Sequence, residues 1–359
     1  MKVIKLMAAA VLLPFLLTGA EEVSSRFNLL RGPYLGQEPP GSTPRIFAPG
    51  LISTGLHTSD ISVSRPGDEI YFGVNDISLS AIFETRIENG RWTEPVIASF
   101  SGKGFLDSEP HLSPDGRKLF FLSNRPPAGG DGRIGRSGQR IWTSTRTVKG
   151  WSEPQPLPEP VAKDGRERFP SVTKDGTLYF TWSRSKGPAR IYRSDLAGGR
   201  YREPVLVPLD VPENAELFNA FVSPDEDYLI TCGLRVEPAN LEEDYYVSFR
   251  SPDGRWSRLM RLGPEINAPG DRASSAYVSP DGRYLFFGSA RMDPDRPAFK
   301  SGTTLRNVFI SKSTPGFGSS AIYWVSAKVI DALRPREFAR ARTLPGPPAT
   351  ELDGSRAGR

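Results

Sequence analysis

Ser279-Pro-Asp-Gly-Arg-Tyr-Leu-Phe-Phe-Gly-Ser-Ala-Arg291 reads as a tight turn feeding an aromatic strand, and the chain repeats it. Ser113-Pro-Asp-Gly-Arg-Lys-Leu-Phe-Phe-Leu-Ser-Asn-Arg125, Thr173-Lys-Asp-Gly-Thr-Leu-Tyr-Phe-Thr-Trp-Ser-Arg184 and Ser223-Pro-Asp-Glu-Asp-Tyr-Leu-Ile-Thr-Cys-Gly-Leu-Arg235 carry the same pattern. Ser64-Arg-Pro-Gly-Asp-Glu-Ile-Tyr-Phe-Gly-Val-Asn-Asp76 is a looser copy. The starts lie about 50 to 60 residues apart, a period that marks stacked supersecondary units. Asp-Gly supplies the positive φ that a tight hairpin turn needs. The β-branched and aromatic run behind it suits a pleated, buried surface.

A third strand follows each copy: Ile82–Thr85, Ile141–Ser144, Ile191–Ser194, Tyr245–Phe249 and Ile322–Val325. After the first four comes a second turn with an aromatic residue, Trp92, Trp151, Tyr201 or Trp256, which recurs at one place in the unit and so predicts packing. A short fourth strand then leads on. Four antiparallel strands cannot bury both faces alone, but several such sheets stacked around an axis can. The fold class is therefore all-β, a β-propeller of four-stranded antiparallel blades. The last copy stops at Ile322–Leu333 without a fourth strand, and Pro44-Arg-Ile-Phe-Ala-Pro-Gly-Leu-Ile-Ser-Thr54 stands ready to supply it. The count gives five blades, the last closed by an N-terminal strand. Six is the alternative if a divergent blade hides in an insertion.

The Ser-Pro-Asp-Gly-Arg-x-Leu-x-Phe signature, with its following Ile-Tyr or Ile-Trp strand, resembles the WD40-like (PD40) repeat of TolB-type propellers over Pro44–Leu333. The resemblance implies an exported binding scaffold that works as a protein-interaction module. TolB itself has six blades and a separate N-terminal domain, for which this chain has no room.

With 35 glycines and 34 prolines in 359 residues, the composition suits many short strands and turns and excludes a helical bundle. One cysteine excludes a disulfide scaffold and thiolate metal clusters, and two histidines argue against a multi-histidine metal centre. No phosphate-cradling glycine loop occurs, and no cofactor is expected. Met1–Ala20 reads as a cleavable signal peptide: Lys2 and Lys5, an apolar run Leu6–Leu17, then Thr18-Gly19-Ala20. The run is too short to span a bilayer, and alanine stands where a lipobox would need cysteine. The reading is a periplasmic or secreted monomer that does not span the membrane. Residues 21–43, Pro/Gly-rich from Arg31, read as a linker, and 334–359 as a disordered basic tail. Between signal and tail the charges balance, with 38 basic and 38 acidic residues in Glu21–Leu333. Nucleic acid is excluded as a partner on that ground.

The Asp-Gly turns lie on one face of a propeller, while first-strand starts, second-strand ends and second-to-third loops lie on the other. The longest loops, Pro126–Gln139, Val236–Asp244 and Met292–Ser320, open on that second face, where binding usually resides. Its candidate binding residues are Asp60, Asp107, Glu109, Arg125, Arg168, Arg184, Asn219, Arg235, Arg272 and Arg291. The arginines ending the second strands have two readings. They form a rim for a carboxylate-rich partner or acidic glycan, or each staples its blade by pairing with a carboxylate; repetition in every blade favours the staple. Asp60, Asp107, Glu109 and Glu167 raise the rival function, a glycoside hydrolase-like enzyme with a carboxylate pair at the tunnel mouth. His57 near Asp60 lacks a nucleophile elbow, His111 reads as a packed or tunnel-lining residue, Cys232 reads as buried and inert, and Asp293-Pro-Asp295 lacks calcium-loop spacing. The expectation is a non-enzymatic scaffold that binds a macromolecule, a protein first, through its long-loop face.

Overall fold

The computed structural model describes residues 27, 29–76, 79–126, 138–163, 165–183, 187–237, 240–292, 296 and 298–339. The signal-like segment, Arg184, Asp293, Asp295, most of the loop 126–139 and the tail beyond 339 lie outside them.

Among the described residues five antiparallel blades follow in sequence order around one axis, with a separate two-stranded ribbon, Leu196–Ala197 with Arg200–Tyr201, between the third and fourth strands of the third blade. Blade 1 runs from Thr58–Val63 at the axis through Glu69–Asn75 and Ser80–Glu88 to Val96–Ile97. Blade 2 uses Asp107–Leu112, Lys118–Ser123, Arg140–Thr147 and Gln155–Pro156. Blade 3 uses Glu167–Val172, Leu178–Trp182, Arg190–Ser194 and Val205–Leu206. Blade 4 uses Glu216–Val222, Tyr228–Leu234, Asp244–Phe249 and Met260–Arg261. Blade 5 takes Ala276–Val278, Tyr284–Ser289 and Ala321–Ser326 from the end of the chain, and Arg45–Ile46 from its start. Arg45 pairs with Trp324 and Ile46 with Tyr323, antiparallel, so the two ends of the fold share one sheet. Five blades, closed as the arithmetic of the repeats required, leave no place for a sixth. Phe47 locks the closure, lying 5.1 Å from the ring of Phe286 and 5.2 Å from that of Trp324.

The recurrent Ser-Pro-Asp-Gly has a local cause. In blade 2 the Ser113 hydroxyl donates to the Asp115 carboxylate at 2.6 Å and accepts the Lys118 N–H at 2.9 Å, while the Gly116 N–H reaches the Ser113 carbonyl. Ser279, Asp281 and Tyr284 repeat this in blade 5. Gly116 sits at φ 71° in open space, whereas a Cβ on Gly176, at φ 90°, would meet Leu196 Cδ2 at 2.6 Å. Gly116→Val is expected to cost about 1 kcal/mol through φ strain alone, and Gly176→Val clearly more. Equal urea midpoints for the two variants and the parent would refute the turn assignment.

Adjacent blades are tied by one repeated device. The Leu112 N–H donates to Ser62 Oγ (2.9 Å), the Val172 N–H to His111 Nε2 (3.0 Å), and the Val222 N–H to Ser171 Oγ (2.9 Å). Tyr277 closes the ring by donating its hydroxyl to the Val63 carbonyl at 2.9 Å. Farther out, Trp151 donates to the Tyr71 hydroxyl across blades 1 and 2, with Arg146 stacked 4.5 Å above the indole. Trp92 is buried and donates to the Gly32 carbonyl. The recurrent aromatics are thus packing residues, as their periodicity predicted.

Two segments that composition sets apart from the propeller carry residues that pack onto it. In the stretch read as a linker, Tyr34 and Leu35 are buried in the core; Tyr34 meets the ring of Tyr284 edge-on and donates to Asp281 at 3.0 Å. At the start of the tail, Arg334 pairs with Asp227 at 3.1 Å and lies 4.2 Å above the Phe249 ring. A few anchoring side chains suffice to fasten a Pro/Gly-rich segment, and average composition does not register them.

Candidate functional site

The inner strands of blades 1 to 4 slip register at one corresponding place, between Thr58 and Ile61, Ser108 and His111, Arg168 and Ser171, and Phe218 and Phe221. Glu109, Phe169 and Asn219 occupy these bulges with φ of 56°, 51° and 54°. Side chains larger than glycine in that region cost about 1–3 kcal/mol each, and a bulge is a standard way to re-aim a side chain. Asp60 of blade 1 and Ser275 of blade 5 hold the equivalent position, three residues before Val63 and Val278. One residue from each blade therefore rings the axis: Asp60, Glu109, Phe169, Asn219 and Ser275.

Beneath this ring the axis is filled. His111, Phe221 and Tyr277 pack against one another with centroids 5.4 to 6.4 Å apart. Burial pushes His111 down to about 4, and its Nε2 accepts the Val172 N–H, so it stands neutral as a packed axial residue. Between ring and plug is a small cavity of about 20 Å³, touching Asp60, Glu109, His111 and Tyr277, enough for one water.

Above the ring opens a mouth of about 580 Å³ on the long-loop face. All its lining residues but Leu106 are of polar type, including His57, Asn75, Asp76 and Gln139 beside Asp60, Glu109 and Asn219. Asn75, Gln139, Ser80, Ser108 and Ser274 were not singled out from the sequence; the only signal was their place at strand ends facing the loops.

The four candidate acids have different fates. Asp107 is fully buried and gripped by Arg125 Nη2 at 2.8 Å, with the Ser101 hydroxyl donating to its other oxygen. Glu167 is fully buried and accepts the Lys163 and Arg166 N–H groups. Asp60 and Glu109 form no ion pair within 4 Å among the described residues. Desolvation pushes Asp60 up to about 6, against hydrogen bonds from Ser59, Ser275 and the Glu109 N–H. Desolvation, then the charge of Asp60, pushes Glu109 up to about 8, although it accepts the Phe169 N–H at 2.6 Å and Arg168 lies near enough to pull the other way. Near neutral pH the pair holds roughly one proton. At the rim, partial burial pushes His57 down, with Asp76 opposing.

The arginines are staples more than a rim. Arg125 is buried, stacked over Phe105, Phe121 and Trp142, and bonded to Asp107, Ser123 and the Phe100 carbonyl. Arg291 repeats this with Asp271, Ser289 and the carbonyls of Glu265 and Ile266. Arg235 faces Glu216 at 3.4 Å, half-exposed, and Arg272 pairs with Glu243 at the surface. Arg168 is exposed beside the mouth. Asn219 is held over it by donating to the Ser274 carbonyl. Cys232 is fully buried, which pushes its thiol well up.

No family model and no curated protein matches the chain. Among solved structures it is similar to TolB from Acinetobacter baumannii, at 14% identity and a TM-score of 0.45, over 76% of this chain and 57% of that one. It is also similar to the catalytic domain of a GH62 alpha-L-arabinofuranosidase from Coprinopsis cinerea, at 12% identity and a TM-score of 0.44, over 83% and 96%. An N-acetylgalactosamine deacetylase from F. plautii stands at 12% and 0.43, over 83% and 95%. At these scores the likeness carries no functional information, and the geometry of the mouth alone bears on what the protein does. No helix among the described residues is long and apolar enough to cross a membrane.

Proposed function

We propose that the chain is an exported, non-enzymatic propeller that binds a protein partner through its long-loop face, the partner placing a cationic side chain in the mouth. One observation carries this: Asp60 and Glu109 lie at the base of an open pocket with no arginine or lysine paired to them among the described residues. Buried carboxylates want a counter-charge, and beyond the unpaired pull of Arg168 on Glu109 a proton serves as one. A lysine or arginine entering the mouth displaces that proton. Both acids titrate above the ordinary carboxylate range, so affinity rises with pH through the window from about 6 to 8. Arg125 and Arg291 are consumed as staples, and Arg235 and Arg272 each pair with a carboxylate, so no arginine rim faces an acidic glycan among the described residues.

The test is capture from a periplasmic extract by the immobilised protein at pH 5.5 and 8. One retained protein is expected, held about tenfold or more tightly at the higher pH and released by Asp60→Asn with Glu109→Gln. Retention indifferent to both the pH and the double variant would defeat the reading. The same unneutralised pair is also what favours a carbohydrate-active enzyme. Oligosaccharide turnover abolished by Glu109→Gln would establish that alternative instead.

A further inference from the structure

The second-to-third loop of blade 5 carries an α-helix, Leu305–Lys312, none of whose residues is buried. Thr304 caps its start, accepting the Asn307 N–H. The base of the loop is fastened: Met292 bridges to Phe317, the rings of Phe299 and Phe317 stack at 5.8 Å, and the Gly55 N–H bonds to the Ser313 carbonyl. The helix therefore stands on a built platform, on the same face as the mouth.

Its orientation reverses the usual rule. At about 100° per residue, Val308 and Ser311 share the side that is half-buried against the protein. The opposite side presents Leu305, Arg306, Phe309 and Ile310, with Leu305, Phe309 and Ile310 exposed by 83%, 67% and 52%. A surface helix normally turns its apolar side inward. Exposed clusters of this kind mark interaction sites.

We infer that this helix docks the propeller onto an anionic lipid surface. The charges select that occupant. From Arg296 to Ser320 the chain carries Arg296, Lys300, Arg306 and Lys312 and no acid; Asp293 and Asp295 precede the stretch. Lys300, Arg306 and Lys312 are exposed, and Arg306 lies within the apolar side itself. Apolar side chains interleaved with basic ones fit the boundary between acyl chains and anionic headgroups, where both are satisfied at one depth. A protein groove reads a helix through apolar anchors spaced over two or more turns, and eight residues supply only the Leu305–Phe309 step. The inference is independent of the acidic mouth and holds whether or not that site binds a cation.

Leu305→Cys, labelled with an environment-sensitive NBD dye, tests it in the full chain, since Cys232 is buried and leaves position 305 to the reagent. With vesicles of phosphatidylcholine containing a quarter phosphatidylglycerol, the dye is expected to brighten and shift to the blue, and the protein to partition about tenfold more strongly than onto phosphatidylcholine alone. Arg306→Glu with Lys312→Glu is expected to abolish the response, and high salt to weaken it. Asp60→Asn leaves it unchanged. A dye signal indifferent to anionic vesicles overturns the inference, even if the chain sediments with them through another segment. So does an equal response to neutral vesicles, or a signal that appears only when extract protein is added.

Discussion

Asp107→Ala is expected to destabilise the protein by about 3–5 kcal/mol, the largest loss of any single change considered, because it strands a buried charge. Arg125 has 7% of its surface exposed and lies beneath the rings of Phe105, Phe121 and Trp142, so its guanidinium has no way to water without moving the blade. Ser101 and the Gly102 N–H also lose their acceptor. Replacing both partners, Asp107→Ala with Arg125→Met, is expected to recover most of that loss, since no charge is then left unpaired. Urea unfolding of the four proteins of the cycle measures the coupling. A double variant as unstable as Asp107→Ala would mean that the pair packs rather than pairs.

Glu109→Gln has the opposite sign. The folded state holds this carboxyl at about 8, far above its ordinary 4.5. Its protonated form suits the fold, so stability present at low pH is lost as the pH climbs from about 4.5 to 8. The amide keeps an oxygen for the Phe169 N–H and carries no charge to desolvate. The variant is therefore expected to gain under about 1 kcal/mol at pH 5 and about 2–4 kcal/mol at pH 8. Urea midpoints at the two pH values decide it, and a gain that is equal at both would rule out the buried proton. A group that weakens the fold at working pH is the trade expected of a functional position.

The aromatic repeats and the charge-bearing positions differ in how far sequence carries them. Each turn of the Ser-Pro-Asp-Gly type closes its hydrogen bonds within six consecutive residues, so the turn and its leading hydroxyl stay recognisable where the copies vary. The fourth strand of blade 5 was also legible, because a missing element at one end and a spare one at the other leave only one pairing. Asp60, Glu109, Asp107 and Glu167 are alike as candidates near the starts of the first strands; pairing of the strands places Asp60 and Glu109 in the axial ring, three residues before Val63 and Leu112, and Asp107 and Glu167 two positions earlier. Asp107 is neutralised by an arginine 18 positions away, and Glu167 is satisfied by the turn N–H groups of Lys163 and Arg166 beside it. The N–H groups of the bulge residues Glu109, Phe169 and Asn219 each find their acceptor on the preceding blade, at Asp60, Glu109 Oε2 and Thr181 Oγ1, a match that no single stretch of sequence contains.

By itself the sequence determined the blade and its closure and made five the count, leaving only the choice between five and six to the structure, since alternation, turn chemistry and repeat length are properties of short stretches. Tertiary structure alone decided which carboxylates lie buried without a paired cation, which arginines are consumed as staples, and that the helix Leu305–Lys312 turns its apolar side to solvent. The physical reason is common to all three. Charge state and exposure depend on groups brought together from distant blades, and desolvation and pairing exist only once those blades have closed around the axis.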